Sequence, residues 1–260
     1  MASGLPSWVI DWTSTDHDDQ KMQLDRNALY ELYDACNMNS FPTRKATGTS
    51  YELADRYFLD EAGVYVDEIE AVGIDIEHAG GSDFTEDLQI ITTQWSDLAT
   101  KNGRTTYMDT GENLEIAISR TMMRDAVRPR HDSDERRRAT SAEITEYREI
   151  WGKYLRREPM FDFMDKHPMF CMPLIVSQKF FVTKTGYIGI GPTSVQSEDQ
   201  VYVLAGGRQP LILRKVEGAT AVDGESGPMG YLVVHAYVHG IMDGEAATGF
   251  EERAKQVLLM

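Results

Sequence analysis

The C-terminal part of the sequence contains the residues whose types and spacing best fit chemistry. His235 and His239 are four residues apart, and Asp243 and Glu245 follow them. On a helix, this spacing would place two imidazoles beside one metal ion. The flanking residues instead have the apolar pattern of a strand, along which four residues span roughly 13 Å. We therefore expect no metal site, while His239 and Asp243 remain candidates for an acid–base pair or for a structural turn.

A glycine-rich segment, Gly186–Gly191, does not have the G-x-G-x-x-G order of a dinucleotide site, and Pro192 rather than a helix follows it. Its glycines favour a turn followed by a closely packed strand. The sequence also lacks a Walker A lysine motif, a G-x-S-x-G elbow and an H-E-x-x-H pair. We therefore expect no cofactor.

Strand patterns occur towards both ends of the chain, and helical patterns occur between them. Apolar residues approximate alternation from Val64 to Ile76, and short strands separated by glycine turns recur from Phe180 to Val238. The last of these predicted strands spans 231–238. Apolar residues at helical spacing predict helices over 84–98, 112–127 and 141–157. Thr140 or Ser141 is the expected cap of the third helix, with Glu143 close to the capping-box position.

The predicted fold class is therefore α+β: a small antiparallel β-barrel or sandwich, built from the C-terminal strands and the strands near 57–76, with a helical middle section. We expect one domain over residues 1–260. In it, a helical section of about 84–170 is inserted between the N-terminal strands and a C-terminal β region, 178–245. Two further predictions are a helix over 26–36 and a mobile loop over the arginine-rich segment 128–138.

The charge of the chain limits the classes of partner. The 260 residues carry a formal net charge of −16, and residues 1–100 contain 20 Asp and Glu but 5 Lys and Arg. Such an acidic chain does not suit the phosphate backbone of nucleic acid. No apolar run approaches the roughly 20 residues that span a bilayer, and the N-terminus lacks the pattern of a signal peptide. With Cys36 and Cys171 as its two cysteines, a cytoplasmic protein without a disulfide framework is expected.

Two parts of the sequence resemble fungal heterokaryon-incompatibility (HET) proteins. Gly4–Trp12 resembles the L-P-S-W-V-P-D-W element of these proteins, with Ile10 where proline is usual. The segments 180–192, 199–210 and 236–246 are similar to the downstream region of these proteins in order and spacing. In the usual architecture the named HET domain lies upstream of the first element, where this chain starts. The resemblance therefore does not carry over incompatibility or cell-death signalling.

Two departures from the family pattern are both apolar in character. Val234-His235 stands where the family usually has Gly-Glu, and residues 172–176 form an apolar run where the family has an arginine-rich approach. A chain of this type without an effector domain fits a cofactor-independent cyclase, a pericyclase of the Diels–Alderase type. Such an enzyme would act on an apolar natural-product intermediate of fungal secondary metabolism.

The residues expected to serve such a cyclase fall into two groups. The candidate hydrogen-bonding and acid–base residues are His235, His239, Tyr187 and Asp243. The candidate pocket-wall residues are Trp8, Trp12, Phe181 and Tyr237. Two alternatives remain open: a non-enzymatic HET-derived interaction or regulatory protein, whose acidic N-terminal residues would suit a basic partner, and acid–base catalysis by His239 with Asp243.

Overall fold

The computed structural model describes residues 32–37, 49–53, 56–101, 103–127, 136–158, 175, 177–216 and 229–259. In chain order the strands are β1 (Thr49–Leu53), β2 (Arg56–Val72), β3 (Thr106–Tyr107), β4 (Glu112–Asn113), β5 (Ala126–Val127), β6 (Arg137–Arg138), β7 (Gln178–Thr183), β8 (Ile188–Pro192), β9 (Gln200–Leu204), β10 (Leu211–Lys215), β11 (Met229–His235), β12 (Tyr237–Val238) and β13 (Lys255–Leu259). The helices are α1 (Phe84–Thr100), α2 (Leu114–Met122), α3 (Ser141–Leu155) and the short α4 (Phe250–Arg253), with 3-10 turns at Ile76–His78, Met108–Thr110 and Glu245–Ala247.

The chain divides into two compact units, which we call the barrel unit and the helical unit. The barrel unit comprises Met1–Ile69, Val195–Ala236 and Gly240–Met260, and the helical unit comprises Glu70–Ser194 and Tyr237–His239. Each unit is thus assembled from segments that are distant in the sequence. The single-domain organisation stays a prediction.

Five strands of the barrel unit close into a barrel in the order β2, β13, β11, β10, β9 and back to β2. Four of the five pairings are antiparallel, and β11 with β13 is parallel. The barrel confirms the predicted fold class, although its strand pairing is mixed rather than wholly antiparallel. The parallel pair arises because the chain leaves β11 and returns as β13 only after β12 and α4, and a long connection of this kind permits the same strand direction.

Alternate residues of the barrel strands point inwards and form one apolar core. Its buried members are Tyr202, Leu204, Leu211, Leu213, Val257 and Leu259, with Leu59 and Leu232 packed against them. Gly63 lies directly against this core, because a Cβ atom there would be 2.5 Å from Leu204 Cδ2 and 3.1 Å from Val257 Cγ2. At the level of Gly63, the barrel is therefore filled by side chains.

The long helices of the helical unit begin at residues that cap them. Asp83 and Asn113 each accept two backbone N–H groups at the start of α1 and α2. Thr140 and Glu143 form a capping box at the start of α3, as predicted. Each such cap stabilises its helix by about 1 kcal/mol. Among the described residues, the helices are all too short or too polar to cross a bilayer.

The helical unit also contains the small sheet β12–β8–β7, against which α1 packs. Trp95 of α1 stacks on Phe180 of β7 with ring centroids 5.9 Å apart, and its indole N–H donates to the carbonyl of Ile74 at 2.9 Å. On β8, Gly189 leaves room for the buried ring of Phe181, because a Cβ at Gly189 would lie 2.2 Å from Phe181 Cζ. Close packing by this glycine agrees with the expectation for the glycine-rich segment.

Two predicted elements have different bounds in the structure. The helix predicted over 112–127 is limited to Leu114–Met122, because Arg124 and Asp125 adopt left-handed backbone angles that end it. The strand predicted over 231–238 is divided at Ala236 into β11 and β12, whose partners are β10 and β8 respectively. A register shift in the pairing of β10 with β11 and a break at Ala236 thus replace one continuous strand.

The predictions of a mobile loop over 128–138 and of a helix over 26–36 were wrong where the structure describes these residues. Residues 137–138 of the predicted mobile loop form β6 and pair with β5, while 128–135 lie outside the described residues. Residues 32–37 form turns rather than the end of the helix predicted over 26–36, whose earlier part also lies outside the described residues. Here the backbone N–H groups of Ala35 and Cys36 donate to the carbonyls of Arg208 and Gly207, contacts that replace helical hydrogen bonds.

Candidate functional site

His239 is held by four hydrogen bonds within the helical unit. Its Nε2 atom lies 2.7 Å from Glu112 Oε2, and its Nδ1 atom lies 2.9 Å from the hydroxyl of Tyr237. Its backbone N–H donates to the carbonyl of Ile188 at 2.9 Å, and its carbonyl accepts from the hydroxyl of Tyr107 at 2.6 Å. The side chain of His239 is 13% exposed. All four polar groups of this residue are therefore engaged inside the unit.

Short strands position this cluster. Tyr237 lies on β12, which pairs with β8, and His239 follows two positions later, so the two side chains share one face. Tyr107 and Glu112 belong to the facing strands β3 and β4 and are paired with each other in register. The ring centroids of Tyr107 and His239 are 4.8 Å apart. The pairs β8–β12 and β3–β4 thus bring four polar side chains together.

Glu112 extends the cluster into a chain of alternating charges. Nε of Arg120 donates to Glu112 Oε1 at 2.9 Å, and the same guanidinium contacts Asp125 and donates to the carbonyl of Ala139 at 3.2 Å. Nε of Arg138 lies 3.3 Å from the other carboxylate oxygen of Asp125. Partly buried ion pairs of this kind are costly to break, because the remaining partner keeps an uncompensated charge.

The environment of Glu112 determines the proton positions on His239. The hydrogen bond from His239 holds the pKa of Glu112 below its usual value, so Glu112 is a carboxylate at neutral pH. A carboxylate only accepts, so Nε2 of His239 is the donor to Glu112, while Nδ1 of the same ring bonds to the hydroxyl of Tyr237. Burial raises the pKa of Asp125, against the opposing effects of Arg138 and Arg120.

The turn that carries Asp125 has an unfavourable backbone. Arg124 and Asp125 have φ angles of 53° and 49°, in the left-handed region that costs L-residues about 1–2 kcal/mol each. Contacts on both side chains hold the turn in place, since Arg124 donates to Gln178 Oε1 at 2.6 Å and Asp125 pairs with Arg120. The strain is thus maintained by the same ion pairs that connect to Glu112.

A small cavity lies beside this cluster in the helical unit. Its volume is about 30 Å³, and Tyr107, Arg104, Lys101, Glu70 and Ile188 contribute to its lining. A cavity of this size holds about one water molecule and is far smaller than the sites that hold drug-sized ligands. Among the described residues, no group of three or more His, Cys, Asp or Glu side chains is arranged to hold a metal ion.

The structure places the predicted catalytic residues in both units. His239 and Tyr187 belong to the helical unit, where Tyr187 is half-buried and its backbone N–H donates to Thr183 Oγ1. His235 and Asp243 belong to the barrel unit, and both are exposed. The carboxylate that bonds to His239 is that of Glu112. The catalytic roles of all four candidates stay predictions.

The predicted pocket-wall residues have separate environments. Tyr237 is buried and bonds to His239, and Phe181 is fully buried against Gly189. Trp8 and Trp12 lie outside the described residues. Tyr237 and His239, two of the eight candidates, bond to each other through their side chains.

The sequence did not single out Glu112, Arg120, Asp125 or Tyr107. Glu112 is 127 positions away from His239, and no local spacing connects the two. The available signal was weak: Glu112-Asn113 stands immediately before an apolar helical pattern, where a capping role is the ordinary interpretation. A long-range pair of this kind becomes visible only when the fold is known.

Comparison with known proteins finds similarity over the C-terminal part of the chain. Residues 160–259 match the Het-6 β-barrel domain. A stretch of 68 residues is 40% identical to heterokaryon incompatibility protein 6, OR allele, of Neurospora crassa, and covers 26% of this chain and 9% of that relative. The predicted resemblance of the C-terminal region to HET proteins is thereby confirmed. No solved structure matches the chain.

The matched segment accounts for most of the barrel but not for all of it. β9, β10, β11 and β13 lie within residues 160–259, whereas β2, which closes the barrel between β13 and β9, lies before them. The segment also contributes β7, β8 and β12 to the helical unit. The chain spans about a tenth of the length of the curated relative that it matches.

Proposed function

We propose that this chain, whose residues 160–259 match the Het-6 β-barrel domain, is a non-enzymatic interaction module related to heterokaryon-incompatibility proteins. The proposed partner is a HET protein that carries the same kind of barrel region. The relation to heterokaryon-incompatibility proteins is supported by the name of the relative, which is a heterokaryon incompatibility protein. The excess of acidic residues over residues 1–100 favours a partner with a basic surface.

The observation that carries this proposal is the complete engagement of His239. A general base must present a ring nitrogen to the substrate or to one bridging water. Here both nitrogens already bond to Glu112 and Tyr237, so a substrate would have to break one of these bonds before it could reach a ring nitrogen. The side chain of His239 therefore fits a structural role, as a link between strands, better than a catalytic one.

The direct test is binding between two purified proteins. The full chain is titrated calorimetrically into the HET protein 6 of Neurospora crassa, with buffer into each protein as the control. A saturable heat that weakens as salt is added is the expected result, because the contact is proposed to involve the acidic N-terminal residues. Absence of binding when both proteins are folded would overturn the proposal.

The competing proposal is the cofactor-free cyclase of fungal secondary metabolism, which needs an apolar pocket for a flexible substrate. The aromatic ring of Tyr107 favours it, since Tyr107 lines the small cavity and its ring centroid lies 4.8 Å from that of His239. Incubation with linear polyene substrates, followed by mass spectrometry, tests this role. Accelerated cyclisation that is lost in the folded His239→Asn variant would select the cyclase over the interaction module.

We also propose that the chain acts in the reducing cytoplasm. Cys36 is a buried, unbridged thiol, and burial raises the pKa of its thiol. A thiol of that kind is unreactive and needs no oxidising compartment. Fluorescent tagging of the full-length natural protein in its fungal host tests the location, and accumulation in the secretory pathway would overturn it.

A further inference from the structure

One end of the barrel is open and forms a second, larger cavity. Its volume is about 310 Å³, at the lower bound of the range for small-molecule sites, which often occupy the mouths of β-barrels. We call this cavity the barrel mouth. Its lining residues are Gly63, Val64, Tyr65, Tyr202, Arg253 and Lys255. All six belong to the barrel unit.

The floor and one wall of the barrel mouth continue the apolar core. Val257 and Leu259 of β13 point into the core, so Lys255, two positions before Val257, lies on the same inward face. Gly63 pairs with Lys255 across β2 and β13, and it has Leu204 and Val257 directly beneath it. Lys255 is thus a cation at the open end of a face that is otherwise apolar.

Two tyrosines form the aromatic side of the barrel mouth. Tyr65 and Tyr202 are opposite each other in register on β2 and β9, with ring centroids 5.6 Å apart and planes at 72°. The side chain of Tyr65 is 44% exposed, although it lies beside the barrel core. Burial raises the pKa of Tyr202 to about 12, so its hydroxyl is neutral in the physiological range. Neutral phenol rings offer edge and face contacts to an aromatic ligand.

The rim of the barrel mouth carries two positive charges in a strongly acidic chain. NH1 of Arg253 donates to the carbonyls of Ala246 and Thr248, both at 3.1 Å, so its guanidinium is anchored. A guanidinium has five N–H donors, and it can bind a carboxylate while NH1 remains bonded to the backbone. Lys255 is two residues further along the chain, at the start of β13. These two cations attract an anion locally, although the whole chain carries a net charge of −16 that repels it.

From the cavity, the paired tyrosines and the two cations, we infer that the barrel mouth binds a small aromatic carboxylate. The ring of the ligand lies against Tyr65 and Tyr202, and its carboxylate pairs with Lys255 and Arg253. The acidic residues Glu251 and Glu252 precede Arg253 on α4 and weaken the field at the rim. Affinity is therefore expected to be modest and to fall as salt is added.

The test uses 2-naphthoate and its neutral isostere 2-naphthamide as probes of the full chain, with binding followed by two-dimensional NMR. Naphthoate is expected to shift the resonances of the barrel unit in a saturable way and to bind about tenfold more tightly than naphthamide, because only the anion pairs with the cations. Equal affinity for the two probes, or no saturable shift with naphthoate, would overturn the inference.

A matched pair of variants locates the site. Lys255→Met keeps the aliphatic stem and removes the charge, and it is expected to weaken naphthoate binding about tenfold. Lys215→Met removes an exposed lysine from the end of β10, outside the barrel mouth, and is expected to leave the affinity unchanged. Equal losses in the two variants would show general charge attraction and refute the site. The comparison of the two probes on the unaltered chain stands even where a variant fails to fold.

Discussion

Nε2 of His239 lies 2.7 Å from Oε2 of Glu112, although the two residues are 127 positions apart. The bond joins the turn after β12 to β4 and thereby connects the two sequence segments of the helical unit, Glu70–Ser194 and Tyr237–His239. Glu112 also accepts from Arg120, and Arg120 contacts Asp125. A single long-range hydrogen bond thus anchors a chain of ion pairs within one unit.

The first prediction concerns the strength of this bond. Glu112→Gln is expected to lower the free energy of unfolding by about 1.5–3 kcal/mol, the range for hydrogen bonds to charged groups. Urea denaturation of the full chain measures the change. The control is Glu115→Gln, whose side chain is 68% exposed and pairs with Arg148. It is expected to cost less than about 1 kcal/mol. Equal costs would mean that the Glu112 contact is worth no more than a surface ion pair.

The elements that the sequence predicted well are those with local signals. The prediction of α1 was correct because Leu88, Ile91 and Trp95 recur at helical spacing and are all buried. The capping box of α3 was correct because Thr140 and Glu143 bond to each other's backbone within one turn. The barrel was predicted because short strand patterns separated by glycine turns recur along the C-terminal part of the sequence.

The elements that the sequence could not predict depend on distant partners. The end of α2 is determined by Arg124 and Asp125, whose left-handed backbone is maintained by contacts with Gln178 and Arg120. The parallel pairing of β13 follows from the barrel closure rather than from any residue of β13 itself. For the same reason, the partner of His239 was sought nearby, at Asp243, whereas Glu112 lies 127 positions earlier, on a strand that precedes α2 and α3.

The second prediction concerns acid stability. The side chain of Arg137 bonds to Glu143 and, with Thr140, lowers the pKa of Glu143 to about 2, against an ordinary value of 4.5. A depressed pKa contributes stability that is fully present above pH 4.5 and is lost as the pH falls towards 2. The advantage of the unaltered chain over Glu143→Gln is therefore expected to shrink across this interval. Because Arg137 is largely exposed, the advantage itself is below about 1 kcal/mol.

Unfolding by urea at successive pH values measures this advantage, and added salt serves as the control. Screening should reduce the difference between the two proteins at neutral pH, since part of it is the pairing with Arg137. A difference that is independent of pH between 4.5 and 2 would contradict the assigned pKa.

The third prediction concerns the strained turn after α2. Asp125→Gly and Asp125→Ala both remove the carboxylate, but only glycine adopts a φ near 49° without steric cost. Asp125→Gly is therefore expected to be more stable than Asp125→Ala by about 1 kcal/mol. At Asp97, an exposed position in α1, the order of the same two substitutions is expected to reverse, because alanine is the better helix former there. If the alanine variant is the more stable one at both positions, the backbone strain assigned to Asp125 is contradicted.

The fourth prediction contrasts two glycines of the helical unit. A Cβ at Gly189 would lie 2.2 Å from Phe181 Cζ and 2.7 Å from the carbonyl of Tyr237, and both neighbours are buried. Gly189→Ala is therefore expected to lower the free energy of unfolding by about 1–3 kcal/mol, as overpacking does. A Cβ at Gly152 in α3 meets only the flexible end of Arg156 at 2.9 Å, so Gly152→Ala is expected to stabilise the chain by about 0.5–1 kcal/mol.

Thermal and urea unfolding of the two glycine variants measure the expected loss of stability in Gly189→Ala and the expected gain in Gly152→Ala. Because β8 carries the carbonyl that bonds to His239 and pairs with β12, Gly189→Ala is also expected to perturb the NMR resonances of His239. Gly152→Ala should leave those resonances unchanged, since α3 does not contribute a bond to His239 among the described residues. If Gly189→Ala is as stable as the unaltered chain, the close contact of β7 with β8 does not limit the packing around His239.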